Sequence, residues 1–193
     1  MKKLTCLFLV LVLVCGSVGA LAAGSKSTGN MTTTKTTGTG GGGTYDAPPA
    51  YSIDVGSDAA LTDAQKQLVE DVLAQIAGAA NPLAYFGDEV KAEIEALLPG
   101  VDVDALQLNE LTGITVKGYS VSNGSLTINC VFPTKYTVGQ KVVVLVGLQE
   151  NGTITWKSFA GIVLADGSVS AVLSADVLMS IQNGTAIIAV LND

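Results

Sequence analysis

Asp102, Asp104 and Glu110 are the carboxylates closest to a paired arrangement in this chain, and Cys130 is the last of its three cysteines. Two carboxylates flanking a bond are the machinery of glycoside hydrolysis, and the same residues could contribute to a calcium site. A calcium site needs six or more oxygens and a turn to gather them, and no such loop pattern surrounds Asp102-Val103-Asp104. A glycan hydrolase also needs an aromatic-lined cleft, for which one Trp and five Tyr are a thin supply. Cys130 as a nucleophile would need a base, and the chain has no His. Its alternation with Leu126, Ile128 and Phe132 marks it as a core residue of a strand. Neither a catalytic set, a metal site nor a cofactor site emerges, and the expectation is a non-enzymatic protein.

The absences extend further. All ten basic residues are Lys. Without Arg there is no bidentate clamp for phosphate or carboxylate, and without His no imidazole ligand. A net charge of −7 makes nucleic acid and anionic lipid poor partners. The charge is uneven: Asp54 to Glu110 holds 12 acids and 2 lysines, and Leu111 to Asp193 holds 4 of each. A solvated helical face accounts for the acidic half, with a docking face for a basic partner as the alternative.

Three aromatic residues are candidate contacts for a protein or glycan partner. Trp156 lies in "TITWKSF" on the same strand face as Ile154, a position that suits a core aromatic or a stacking platform. Tyr119 and Tyr136 are the next candidates. Asn-x-Ser/Thr occurs at Asn30, Asn123, Asn151 and Asn183, but three of these are Asn-Gly dipeptides that turn chemistry explains. "GTGGGG" is no phosphate loop, since no Gly-Lys-Ser/Thr follows it.

The elements that must position these residues follow from periodicity. Residues 1–22 read as a signal peptide: Lys2-Lys3, the apolar run Leu4 to Val14, and a small-x-small site at Ala20-Leu21-Ala22. The short basic start suggests a bacterial chain. Cleavage there would remove two lysines and leave a secreted protein of charge −9. Cys15, in "LVLVCGS", is an alternative site for lipid attachment, which would make the protein a membrane-anchored lipoprotein. Membrane contact is expected through that anchor alone. Residues 23–50 are rich in Gly, Ser, Thr and Pro and read as a flexible linker. A folded head on a spacer suggests a secreted or envelope-associated binding module. A structural subunit assembling through strand addition and a carboxylate-dependent hydrolase are the alternatives.

The remaining 51–193 reads as one α+β domain, with a helical hairpin over 51–100 and a β-rich part over 101–193. Thr62 and Gln65 fit a capping box before the stripe Leu68, Val69, Val72, Leu73, Ile76. A second helix carries Phe86, Val90, Ile94, Leu97 and Leu98, and Pro99-Gly100 stops it. Each stripe needs a surface to cover, so both helices are expected on the sheet. Alternation then predicts about six antiparallel strands, in a sandwich or a partly open barrel. Asn123-Gly124, Asn151-Gly152 and Asp166-Gly167 predict hairpins at 114–131, 141–163 and 154–173. Ser174 to Asn183 reads as a short helix ended by a left-handed Gly184.

Overall fold

The computed structural model describes residues 32–34, 51–56 and 61–193. The signal sequence, Cys15, the Ala20-Leu21-Ala22 site, Asn30 and the glycine run lie outside these residues. The strands are β1 (Thr32–Thr34), β2 (Ser52–Val55), β3 (Gln107–Lys117), β4 (Leu126–Cys130), β5 (Val142–Glu150), β6 (Thr153–Val163), β7 (Val169–Leu173) and β8 (Thr185–Asn192). The helices are α1 (Asp63–Ala77), α2 (Pro82–Phe86), α3 (Asp88–Leu97) and α4 (Ala175–Asn183). The sheet order is β1-β4-β7-β6-β5-β8-β3-β2, antiparallel throughout. Strands β2 to β8 make a nearly closed, barrel-like sheet of seven.

Each face of this sheet carries its own core. On one face Val142, Val144, Val146, Ile188 and Val190 join Leu126, Ile128 and Cys130, and α4 closes this core with Val177, Leu178 and Ile181. On the other face Val143, Leu145, Ile187, Ala189 and Leu191 meet Leu68, Val72 and Ile76 of α1 and Val90 and Ile94 of α3. Strands β5 and β8 are buried on both faces, which explains their unbroken apolar runs. Fully burying one such Val or Leu contributes about 1.5–3 kcal/mol, so these two strands anchor the domain.

The capping box forms as the sequence predicts, with the Gln65 amide N–H donating to the Thr62 hydroxyl. Gln65 also does something its position does not announce. Its side-chain amide donates to the carbonyls of Ile114 at 2.9 Å and Ala186 at 3.0 Å. The β3–β8 ladder ends at Gly113↔Ile187, so Gln65 supplies donors at the residue pair where the two strands part. Beyond that point β3 turns to β2.

Three expectations are corrected. The helices do pack on the sheet, but not as a hairpin. α2 intervenes, with Phe86 on α2 rather than α3, and Gly87 at φ 87° breaks the chain between them. α1 then rests on β3 and β8, and α3 on β6. The hairpin at 114–131 does not form: β3 pairs with β8 and β2, and β4 with β1 and β7. A 3-10 turn at Val121–Asn123 carries the chain from one side of the strand order to the other. Gly184 is extended, at φ −137°, because the chain passes straight from α4 into β8. Thr32–Thr34 pairs with β4.

Candidate functional site

The hairpin at 141–163 forms as expected and builds the site. Asn151 at φ 50° and Gly152 at φ 81° turn the chain in two residues, which places Glu150 opposite Thr153. From there Val142–Glu150 and Thr153–Gly161 pair residue for residue without a register shift. In a two-residue hairpin the pair flanking the turn exchanges both hydrogen bonds, and hydrogen-bonded pairs alternate along the ladder. Thr153, Thr155, Lys157, Phe159 and Gly161 therefore point their N–H and C=O groups at β5. Ile154, Trp156, Ser158 and Ala160 point theirs the other way.

On that other side, β7 pairs with β6 at Ile162↔Ser170 and Val163↔Val169 only. No described strand adjoins 153–161 on this flank. A row of backbone donors and acceptors is left at a sheet edge inside the strand order, where β7 diverges from β6. The divergence has a cause in the chain: β7 runs into Ser174, which starts α4, and α4 must enter the first core.

The edge lies on the floor of a cleft of about 350 Å³. Lys157, Ser158 and Phe159 form the floor; Glu93, Ala96 and Leu97 of α3 form one wall. Ser174, Asp176 and Val177 at the start of α4 form the other. The Ser158 hydroxyl is buried and has no hydrogen-bond partner among the described residues. The Ser174 hydroxyl, the local backbone amides and, more weakly, Lys157 hold the Asp176 carboxyl below its ordinary range. The cleft thus offers apolar contacts from Ala96, Leu97, Phe159 and Val177, two carboxylates, one ammonium, and unpaired backbone. A second cleft of about 390 Å³ lies between the β5–β6 turn and the end of α4. It is more polar, and its strand residues Gln149 and Thr185 are already paired with each other, so it offers less backbone to a ligand.

Trp156 fixes the β6 edge to the helical layer. Its ring meets Phe86 edge-on at 4.8 Å and Tyr85 at 6.3 Å, and it is 8% exposed. Gly147 opposite is required: a Cβ there would come within 2.8 Å of the indole. Trp156 is therefore the core aromatic and offers no open face for stacking. The same holds for the two tyrosines. Tyr119 donates from its hydroxyl to Gly124 O at 2.6 Å, and Gln182 of α4 brackets its backbone N–H and C=O. Burial, then the nearby Asp176 charge, raises its pKa. Tyr136 is packed edge-on to Phe132 at 6.3 Å, and burial followed by the charge of Glu110 raises its pKa strongly.

The carboxylate candidates are not assembled into an acid–base pair. Asp104 is held by Lys91 at 2.7 Å on the surface, and Asp102 caps its own turn by accepting from the Asp104 amide. Hydrogen bonding to Asp104 raises the Lys91 pKa. A β-bulge between Leu108 and Glu110 keeps Leu108 and Leu111 on the helical side and turns the buried Glu110 toward Tyr136. No group of three or more His, Cys, Asp or Glu is placed to hold a metal among the described residues. Cys130 is 2% exposed, and burial pushes its thiol up to about 12, which makes it a poor nucleophile. Among the described sequons, Asn151 forms the tight turn and Asn183 ends α4.

No known protein family matches the chain, and neither does any curated protein or solved structure. No helix among the described residues is long and apolar enough to cross a membrane.

Proposed function

We propose that this chain is a secreted or envelope-associated, non-enzymatic binding module that takes an extended peptide segment as an added strand on β6. The observation that carries this reading is the unpaired flank of Thr153–Gly161 on the floor of a walled cleft. Main-chain hydrogen bonds supply affinity in such an arrangement, and pockets for alternate side chains supply selectivity. Ala96, Leu97, Phe159 and Val177 suit an apolar side chain on the incoming strand, while Glu93 and Asp176 suit a basic one beside it. The walls on both sides favour a lone extended chain over the edge of another sheet. The export signal over residues 1–22, or lipid attachment at Cys15, would place the head outside the cytoplasm at the end of its spacer. Assembly into a structural array by strand addition draws on the same open edge and is the second reading.

The test is a display library of random twelve-residue peptides panned on the purified protein and on its Ser158→Pro variant. The Ser158 N–H points away from β5, so proline there removes an edge donor without removing a β5–β6 bond. Enrichment of peptides alternating apolar with other residues, lost in the variant, is the expected result. No enrichment, or enrichment that survives the substitution, overturns the proposal.

A further inference from the structure

A second edge, the flank of β4 away from β7, lies near one end of the strand order, and there the structure shows an occupant. Thr32–Thr34 lies antiparallel on β4, with Thr32 opposite Asn129, Thr33 opposite Ile128 and Thr34 opposite Thr127. β4 is otherwise paired only with β7. The chain therefore already performs strand addition on itself, using a segment that stands well outside the domain in sequence. Residues 35–50, including the glycine run, separate it from Tyr51.

That connection sets what the segment can reach. Sixteen residues span at most about 55 Å when extended, against a radius of gyration of about 15 Å for a domain of this length. The β4 edge of an adjacent copy is within this distance. The bond is made through main-chain groups over three residue pairs, and every copy carries the same segment and the same edge. Nothing in a backbone ladder of that length distinguishes the segment of one copy from that of the next.

We infer that the outer edge of β4 is a strand-acceptor site, occupied in an isolated copy by its own Thr32–Thr34 and open to the same segment of a second copy. The tether decides which occupant prevails. A tether of sixteen residues holds its own segment at an effective concentration on the order of millimolar, so dilute protein is self-capped. Copies crowded to that concentration exchange segments and become linked. This edge is separate from the β6 cleft, so the binding reading stands or falls independently of it.

The test uses the full mature chain and its Thr33→Pro/Thr34→Pro variant. Consecutive residues of an antiparallel strand alternate in which side they bond, so one of the two prolines removes a donor to β4 whatever the register. The probe is a synthetic peptide of residues 26–40, titrated into ¹⁵N-labelled protein. In the variant the peptide shifts the amide signals of Leu126–Cys130. If the native segment covers the edge about nine-tenths of the time, binding to the variant is about tenfold tighter than to the wild type. Wild-type protein self-associates on approaching millimolar concentration and the variant does not. A folded variant that leaves the β4 signals unmoved overturns the inference, as does a response confined to residues 154–160. Should the variant fail to fold, the wild type titrated with millimolar peptide decides: β4 shifts support strand exchange, and their absence overturns it.

Discussion

The two flanks of β6 are made of the same residues and have opposite fates. Toward β5, every residue from Thr153 to Gly161 has a partner; toward β7, pairing stops after Ile162 and Val163. The difference does not come from β6's own composition. It comes from what its neighbours must do next. β5 is buried on both faces and stays paired along its whole length, whereas β7 follows β4 through Leu173, parts from β6 after Ser170, and then leads into α4, which fills the first core. An open edge inside a sheet is thus a consequence of topology, and it is held open by two helices that are themselves anchored in opposite cores.

The most severe way to break this contrast is to remove one anchor. Val72 of α1 is fully buried in the helical-side core. Val72→Asp puts a charge there and is expected to cost more than about 4 kcal/mol, abolishing the cooperative unfolding transition of the whole domain in a denaturant titration. A β part that keeps its stability would show that the helical layer is dispensable.

A smaller perturbation acts on the edge itself. Gly147→Ala forces the Trp156 ring away from its seat against Phe86 and is expected to destabilise the domain by about 1–3 kcal/mol. Tryptophan fluorescence should shift toward that of a more exposed indole. An unchanged spectrum with unchanged stability would mean that the indole does not fix β6 to α2.

The sealed side can be tested by titration. Burial keeps the Cys130 thiol neutral up to about 12, whereas an unfolded thiol ionises from about 8.5. A pKa raised by folding means that the native state binds more protons above pH 8.5, so its stability falls as pH rises from there toward 12. The loss from this group should reach roughly 1.4 kcal/mol by pH 9.5 and be absent in Cys130→Ser measured against its own neutral-pH stability. Native protein at pH 8 should resist thiol alkylation; rapid labelling would show that this core is open as well.

What the sequence made legible was local. The β5–β6 hairpin was readable because Asn151-Gly152 encodes its own turn, and α1 because Thr62, Gln65 and the apolar stripe lie within a few turns of one another. The domain's pairing was not. Asn123-Gly124 resembles Asn151-Gly152 in sequence, yet it closes a 3-10 turn in a crossover. β2 is not legible in the sequence, because Ser52–Val55 is a single short alternation whose partner begins 59 residues later, at Ile114↔Val55. The cleft was equally hidden. Ser158 and Leu97 carry no signal of a site; they become one only when α3, α4 and the β6 edge meet. Trp156, Tyr119 and Tyr136 drew attention as aromatics, and their burial depends on partners such as Phe86, Gln182 and Phe132 elsewhere in the chain.

Residue-resolved amide hydrogen exchange along β6 tests the central claim most directly. The account predicts alternation: Thr155, Lys157 and Phe159 protected by β5, with Trp156, Ser158 and Ala160 exchanging much faster in the free protein. Uniform protection from Thr153 to Gly161 would show that the outer flank is already covered, and would contradict the proposed binding edge.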